Sequence, residues 1–387
     1  MASTFENLDL ARVPSPCFVI DEVALERNLM LLSRVQAKCG ARILLALKAF
    51  SMFAAAPQVM RHLHGTAASG AWEARLGRED YGGEVHCFSP AYRHEDLAEV
   101  LTLSDHVVFN SAGQWDRFRD QALGAQADRP GLRFGMRLNP EHSEGATEIY
   151  DPCAPCSRLG ATRASLEGAD LRGLSGLHFH TLSEQGLGPL ERTLAAVEQK
   201  FGHLFERMDW INFGGGHLIT DGSYDVDGLI RLLTGFAKRT ALQVYLEPGE
   251  AVALGAGILV TEVADLVHNE MPIAIVDVSA TCHMPDVIEA PYRPEILGAR
   301  APGTGGHTYR IGGPTCLSGD VIGDYAFDAP LEVGQRLAVK DQAYYTMVKT
   351  STFNGMKLPA IALWNSDSDD FRIVKSFGYG DFHDRLS

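Results

Sequence analysis

Residues 174–216, LSGLHFHTLSEQGLGPLERTLAAVEQKFGHLFERMDWINFGGG, contain one complete strand–helix–strand unit. Short β-rich runs at Leu174–His180 and Trp210–Phe213 enclose Pro189–Phe205, an amphipathic stretch whose apolar residues recur at helical spacing. A helix that connects two strands is typical of a parallel β-sheet, because parallel strands need a long crossover. This stretch therefore predicts an α/β architecture built from repeated βα units.

The same alternation extends over the first two thirds of the chain. The strand candidates are Ile43–Ala49, Thr66–Ser69, Glu84–Ser89, His106–Asn110, Leu132–Leu138, Leu174–His180, Trp210–Phe213 and Val244–Glu247. Eight βα repeats over roughly 240 residues is the number expected of a (β/α)8 TIM barrel. A doubly wound open sheet is the alternative, but it usually has fewer strands.

The pattern changes after about residue 264. Glycine and proline become frequent there, and short alternating runs such as His307–Ile311 predict antiparallel strands. An early strand, Pro16–Asp21, precedes the barrel and is expected to pair with this later region. The expected domains are a barrel over residues 22–264 and a C-terminal all-β domain formed by residues 1–21 and 265–387.

Composition restricts the partners and the compartment. The chain has 387 residues, of which 45% are apolar and 21% charged, as in an ordinary globular protein. Thirty-four basic and 49 acidic residues give a net charge of −15, which argues against nucleic acid or an anionic membrane as the main partner. No stretch has the pattern of a signal peptide or a transmembrane helix. With seven cysteines in no disulfide framework, these features predict a cytoplasmic protein.

Reactive side chains fall at the carboxyl ends of the predicted strands, where a TIM barrel builds its active site. These residues are Lys48, Arg137, His180, the glycines Gly214, Gly215 and Gly216, and Glu247. A lysine in an apolar strand has a lowered pKa and can form a Schiff base, and glycines after a late strand can cradle a phosphate. A carboxylate beside a ring nitrogen keeps that nitrogen protonated. Taken one at a time, each residue also fits a structural role, such as a rim lysine or a core histidine.

Cysteine spacing does not predict a metal site. Cys153 and Cys156 form a C-x2-C pair, but no second pair of Cys or His has the spacing of partner ligands. Cys282 and His283 also lack a set of ligands. We therefore expect no metal.

Six motifs along nearly the whole chain resemble the fold-type III pyridoxal-phosphate decarboxylases, the alanine-racemase-like family that includes the ornithine and diaminopimelate enzymes. They are ALKA (46–49), HFHTLS (178–183), FGGGH (213–217), EPGE (247–250), GPTCLSGD (313–320) and YYTMVKTSTFNG (344–355). Two further stretches, RLNPEHSE (137–144) and YDPCAPCSRLG (150–160), resemble the branch that decarboxylates carboxynorspermidine and carboxyspermidine to norspermidine and spermidine. The resemblance implies an enzyme of polyamine biosynthesis.

The resemblance also implies pyridoxal 5'-phosphate as the cofactor and a role for each matching residue. Lys48 corresponds to the lysine that carries the cofactor, His180 to the residue stacked on its ring, and Glu247 to the carboxylate facing the pyridine nitrogen. Cys316 corresponds to a cysteine that crosses a dimer interface to protonate Cα, which implies an obligate homodimer with shared sites. The implied cofactor contacts are Lys48, Arg137, His180, Ser183, Gly214, Gly215, Gly216, Glu247 and Tyr345.

Departures from the family pattern bear on the substrate. Glu250 stands where ornithine and diaminopimelate enzymes typically have arginine, and Leu317 stands where relatives have an acidic residue. An anion at Glu250 favours a substrate with extra ammonium groups. The expected substrate contacts are Glu250, Asp286, Asp320, Phe353 and Asn354.

Two alternatives remain open at this stage. The first is diaminopimelate or ornithine decarboxylation, or racemisation, on the same scaffold. Glu250 opposes the diaminopimelate reaction, and Glu247 opposes racemisation. The second is a pyridoxal-phosphate-binding regulator without turnover, in which Cys316 and the β domain would have no purpose.

Overall fold

The structure is a computed structural model that describes residues 4–387 and divides into two compact units. The barrel unit is Asn28–Val252, and the sheet unit comprises the segment up to Arg27 together with Ala253–Ser387. The sequence pattern predicts these divisions at 21/22 and 264/265. The second division lies earlier in the structure because the strand Gly257–Asn269 pairs with other strands of the sheet unit.

The strands and helices have the following bounds. The strands are β1 (Cys17–Asp21), β2 (Arg42–Ala46), β3 (Gly65–Ala68), β4 (Glu84–Phe88), β5 (His106–Phe109), β6 (Arg133–Arg137), β7 (Gly176–His178), β8 (Trp210–Asn212), β9 (Gln243–Leu246), β10 (Gly257–Asn269), β11 (Met271–Val276), β12 (His307–Gly312), β13 (Val321–Phe327), β14 (Arg336–Lys340), β15 (Ala360–Asn365) and β16 (Asp370–Lys375). The helices are α1 (Glu22–Cys39), α2 (Ala56–Val59), α3 (Ala71–Leu76), α4 (His94–Leu103), α5 (Ala112–Asp128), α6 (Leu187–Phe201), α7 (Val226–Thr240), α8 (Glu250–Ala253), α9 (Ala280–His283), α10 (Asp286–Glu289) and α11 (Tyr379–His383). Nowhere in residues 4–387 is a helix both long and apolar enough to cross a membrane.

Strands β2 to β9 form the predicted TIM barrel. They pair in parallel and in sequence order, and β9 closes on β2 through the pairs Arg42↔Tyr245 and Ile43↔Leu246. Each overlaps one of the eight runs proposed from the sequence, so the (β/α)8 prediction is confirmed. Every residue of β3 and β5 is buried. This burial on both faces explains why the strands appear in the sequence as continuous apolar runs.

The sheet unit confirms the early strand and contains parallel as well as antiparallel strand pairs. β1 pairs with β10 antiparallel and with β15 parallel, as expected for an N-terminal strand that joins the later sheet. β12, predicted at His307–Ile311, pairs antiparallel with β13 as expected, and on its other side it is parallel to β11. The reason is the long connection from Val276 to His307, which contains α9 and α10 and lets the chain return in the same direction.

A buried polar cluster lies at the N-terminal ends of β4 and β5, the end of a TIM barrel associated with stability. The rings of His86 and His106 are 3.9 Å apart between centroids. Arg42 and His64 contact one oxygen of the Glu84 carboxylate, and His86 Nε2 lies 3.2 Å from the other. Both oxygens of the Glu84 carboxylate therefore have partners within the protein.

This cluster predicts a loss of stability in mild acid. Burial, assisted by His86, lowers the pKa of His106 to about 2, so this imidazole is neutral in the folded protein. The unfolded chain takes up a proton at His106 below about pH 6.5, so the contribution to stability is complete above that pH and is lost as the pH falls. We expect His106→Gln to make the decline in unfolding free energy between about pH 6.5 and 5 shallower by up to about 1.4 kcal/mol per pH unit.

Urea unfolding of both proteins over this pH range measures the effect. His203→Gln, at an exposed position of the barrel unit, is the matched control and should leave the slope of the wild-type protein unchanged. Equal slopes for wild type and His106→Gln would contradict the assignment of a neutral, buried His106.

Candidate active site

Lys48 lies in a turn after β2. The sequence analysis placed it at the end of the strand, but β2 ends at Ala46 and the chain turns there, with Ala49 N–H donating to the Ala46 carbonyl at 3.0 Å. The strand ends early because the Ala46 carbonyl accepts its hydrogen bond from within the turn. Lys48 is thus carried on a loop at the C-terminal end of the barrel, where TIM-barrel active sites are built.

The surroundings of Lys48 favour its uncharged amine. The Lys48 side chain is exposed at the surface of the chain, but neighbouring groups displace water from around it. This desolvation lowers the pKa of Lys48. Arg137 lowers that pKa further, whereas Glu247 and Glu73 act in the opposite direction. An amine with a lowered pKa is nucleophilic near neutral pH and can form a Schiff base with an aldehyde.

Arg137 ends β6, as the sequence predicted. Its Nη2 donates to the His180 carbonyl at 3.1 Å, and its guanidinium lies 4.4 Å from the centroid of the Phe88 ring. Burial lowers the pKa of Arg137 to about 10, and Glu247 opposes this shift. Arg137 therefore remains a cation at neutral pH and is held in place by a backbone oxygen and an aromatic face.

His180 lies two residues beyond β7, in the following loop rather than in the strand. The N–H of Gly215 donates to His180 Nδ1 at 2.9 Å, so Nδ1 is an acceptor and carries no proton. Burial, with further contributions from Lys48 and Arg137, lowers the pKa of His180 well below its usual value. The ring is a neutral imidazole of defined orientation, with its remaining proton on Nε2.

The glycines after β8 are required by close backbone packing. Gly214 and Gly216 have φ angles of 70° and 82°, a region that favours glycine. A Cβ at Gly215 would lie 2.2 Å from the Glu247 carbonyl oxygen, and one at Gly216 would lie 2.9 Å from the Ser183 nitrogen. The turn therefore brings the backbone of Ser183 and the three glycines together, at the place where the sequence analysis expects a phosphate site.

Glu247 directly follows β9 and is held by groups that the sequence analysis did not single out. Asn212 Nδ2 donates to Glu247 Oε1 at 2.6 Å, and His178 Nε2 lies 3.4 Å from Oε2. Burial acts to raise the pKa of Glu247, but His178, together with His86 and Lys48, outweighs it and lowers the pKa to about 2. Asn212 immediately precedes FGGG in the sequence, and that position at a strand end is the signal that could have identified it.

The sheet unit carries the remaining candidates. Cys316 is exposed, and its N–H donates to Asn354 Oδ1 at 2.9 Å. This bond joins the GPTCLSGD loop to the segment that contains Asn354 and the exposed Phe353 before it. Tyr345 has a φ of 50°, which is uncommon for a residue with a Cβ. These contacts bring Cys316, Phe353 and Asn354 to one part of the sheet unit.

The acidic candidates have different surroundings. Asp320 is buried and accepts hydrogen bonds from Ser279 Oγ, Thr315 Oγ1 and two backbone N–H groups, so it organises the loop that carries Cys316. Asp286 accepts from Lys349 Nζ at 2.5 Å. Glu250 belongs to the barrel unit, where it begins α8 and is half-buried.

Comparison with known proteins establishes the class to which this fold and site belong. The sequence profile described as "Pyridoxal-dependent decarboxylase, C-terminal sheet domain" matches residues 17–343. The chain belongs to this family of pyridoxal-dependent decarboxylases. The family resemblance drawn from the sequence motifs is confirmed.

Individual relatives are similar over nearly their whole length. Carboxyaminopropylagmatine decarboxylase of Synechocystis sp. is 44% identical over 383 residues, which cover 98% of this chain and 97% of the relative. Carboxynorspermidine/carboxyspermidine decarboxylase of Campylobacter jejuni is 40% identical over 382 residues, with 96% and 98% covered. The crystal structure of carboxynorspermidine decarboxylase from the same organism, complexed with norspermidine, matches with a TM-score of 0.89 at 39% identity, covering 96% of this chain and 100% of that one.

Proposed function

We propose that the chain is a pyridoxal-phosphate-dependent decarboxylase of carboxylated polyamines, which converts carboxynorspermidine and carboxyspermidine to norspermidine and spermidine. The observation that carries the proposal is the convergence of Lys48, His180 and Glu247 at the C-terminal end of the barrel. Relatives named for this reaction are 40% and 35% identical to the chain over nearly its full length, which supports the choice of substrate.

The residues at this end of the barrel fit pyridoxal phosphate. Lys48 offers an amine with a lowered pKa for the aldehyde, and the partly buried, ionised Glu247 suits a protonated pyridine nitrogen. The backbone of Gly214, Gly215 and Gly216 allows close approach of a phosphate. When bound, pyridoxal phosphate supplies a ring that accepts the electron pair left by departing carbon dioxide.

The proposed roles of the side chains follow from their contacts. Glu247 holds a proton on the pyridine nitrogen, because its carboxylate stays ionised in this site. His180, fixed by Gly215, presents a neutral ring face against the cofactor. Arg137 supplies a fixed cation near that ring.

The proposed contacts to the polyamine part of the substrate are carboxylates. A buried ammonium group needs a paired carboxylate to keep its charge, and Glu250, Asp286 and Asp320 are the candidates. Asp286 would have to exchange Lys349 for a substrate ammonium group. Phe353 and Asn354 are proposed as further substrate contacts.

A second candidate substrate is carboxyaminopropylagmatine. The relative named for its decarboxylation is 44% identical to this chain. The agmatine portion ends in a guanidinium group, whose planar donors pair with a carboxylate by two parallel hydrogen bonds. The same acidic residues would bind either substrate. An assay in which the two substrates compete for the enzyme therefore shows which one it prefers.

Decarboxylation assays on the purified protein test the function. After reconstitution with pyridoxal phosphate, we expect an absorbance band above about 400 nm and release of carbon dioxide from carboxynorspermidine. Carboxyspermidine, carboxyaminopropylagmatine and diaminopimelate are compared at equal concentration by kcat/KM. A band with turnover of diaminopimelate alone would overturn the proposed substrate, and turnover of none of the four would overturn the proposed function.

We also propose a homodimer in which Cys316 is supplied to the barrel of a second copy and returns a proton to Cα. The exposure of Cys316 supports this proposal, because a residue that serves another subunit has to lie at a surface. The proposed compartment is the cytoplasm, where the free thiols of the chain are stable.

Mixing two inactive variants tests the shared site. Lys48→Ala lacks the residue for the cofactor, and Cys316→Ala lacks the proposed proton donor. If each site uses one residue from each copy, random exchange of subunits is expected to restore about a quarter of the wild-type activity. Activity that stays at the level of the separate variants, after exchange is verified by native mass spectrometry, would contradict the shared site.

A further inference from the structure

Asn212 and Glu247 are joined through Gly214 in a closed ring of hydrogen bonds. Asn212 ends β8 and is completely buried, and Glu247 follows the neighbouring strand β9. Asn212 Nδ2 donates to Glu247 Oε1 at 2.6 Å, and Asn212 Oδ1 accepts from Gly214 N–H at 2.8 Å. Glu247 N–H in turn donates to the Gly214 carbonyl at 2.8 Å. Three contacts therefore hold the two residues in one arrangement.

This ring fixes which way the Asn212 amide points. A backbone N–H can only donate, so the atom of Asn212 that faces Gly214 must be the oxygen. The NH2 group is then directed at Glu247, where it stabilises the ionised carboxylate and occupies Oε1. Oε2 remains for another partner.

His178 faces the other oxygen of the Glu247 carboxylate, so it does not take the place of the Asn212 donor. His178 is 3.4 Å from Oε2, but neither of its ring nitrogens makes a hydrogen bond to any of residues 4–387. Burial lowers the pKa of His178, and the neighbouring Glu247 acts against that shift. Further charged or titratable neighbours are Lys48, His86, Cys87, Arg137 and His180. A carboxylate in a desolvated site that lacks a directed hydrogen-bond donor tends to take up a proton. The Asn212 donor therefore helps to keep Glu247 ionised.

We propose that Asn212 is a positioning residue that orients the Glu247 carboxylate and keeps it ionised, so that Glu247 can hold the proton on the pyridine nitrogen. This inference rests on the proposed function, because it assigns Glu247 to that nitrogen. Asn212 acts through Glu247 and does not itself contact the reacting atoms.

Asn212→Asp in the holoenzyme separates the electrostatic role from a structural one. Aspartate has the same shape and still accepts from Gly214 N–H, but it places a second carboxylate against Glu247. Two adjacent carboxylates share a proton, which raises the upper pKa of the pair. We expect kcat to fall about 10–100-fold near neutral pH and to rise again with increasing pH, as the shared proton is lost.

Three further measurements complete the test. The absorbance band of the bound cofactor, titrated with pH in the absence of substrate, should show the same new ionisation in Asn212→Asp. Asn212→Ala removes the donor without adding a carboxylate, so it should lose kcat with a smaller shift of this ionisation than Asn212→Asp. Asn212→Ser, which is smaller and retains a hydroxyl donor, should fall between Asn212→Ala and wild type. Asn110 follows β5, and its side chain donates to the Arg158 carbonyl and accepts from the Gly160 N–H. Asn110→Ala is therefore the control and should not add the ionisation.

The outcomes distinguish this inference from the proposed function. If wild type is active but the Ala and Ser variants match its kcat, Asn212 is not a positioning residue. The same conclusion follows if the variants lose only thermal stability and keep the wild-type pH profile. If wild type itself neither binds pyridoxal phosphate nor releases carbon dioxide, the proposed function fails and the inference fails with it.

Discussion

Lys48→Ala is expected to abolish the absorbance band above about 400 nm and to reduce product formation by on the order of 10⁴-fold or more. The amine of Lys48 is the proposed attachment point, and its lowered pKa leaves a larger uncharged fraction near neutral pH than an ordinary lysine has. Alanine removes the nucleophile and keeps the turn after β2. Ultraviolet–visible spectra and single-turnover assays on the reconstituted variant measure both effects.

Lys238→Ala is the matched control for this substitution. Lys238 is exposed in the last turn of α7, so its loss should leave the band and the rate unchanged. A band of wild-type intensity in Lys48→Ala, with correct folding shown by circular dichroism, would refute the assignment of Lys48. A band without turnover in wild type would instead preserve the cofactor site and question the substrate.

Glu247→Gln is expected to lower kcat by about 10²–10³-fold, with a much smaller effect on the affinity for pyridoxal phosphate. A neutral amide cannot hold a proton on the pyridine nitrogen as a carboxylate does, so the electron pair left by carbon dioxide is less stabilised. The amide has nearly the same volume as the carboxylate, so the packing around β9 should persist. Steady-state kinetics and cofactor titration separate the two quantities.

Glu198→Gln serves as the control, because Glu198 pairs with Arg239 in an exposed position of the barrel unit. Its kcat should equal that of wild type. If Glu247→Gln changes the affinity for pyridoxal phosphate as strongly as kcat, Glu247 acts in binding rather than in stabilising the charge that develops during the reaction.

The barrel could be predicted because its evidence is local. Each strand appears as a short apolar run, and each helix between strands has apolar residues at its own period, so eight repeats could be counted without knowing any contact. Arg137 and Gly214–Gly216 were placed correctly for the same reason, since they lie at or directly after predicted strands. The early strand β1 was recognised because it stands apart from the βα alternation.

Contacts between residues far apart in the sequence could not be predicted from local patterns. The parallel pairing of β11 with β12 depends on how a long connection returns, and the turn that removes Lys48 from β2 depends on hydrogen bonds that replace those of the strand. The Asp286–Lys349 ion pair joins residues far apart in the chain, and no spacing in the sequence indicates it.

The amino-acid sequence by itself determined the α/β barrel, the added sheet and the family, and it indicated the candidate site residues, because periodicity and motifs are properties of neighbouring positions. Only the tertiary structure decided how those residues are held. In the folded protein, Gly215 fixes the His180 ring and Asp320 organises the loop that carries Cys316. Asn212 holds Glu247 in a ring of hydrogen bonds that includes Gly214. These arrangements depend on distances of a few ångströms between separate strands and loops, and such distances exist only once the chain has folded.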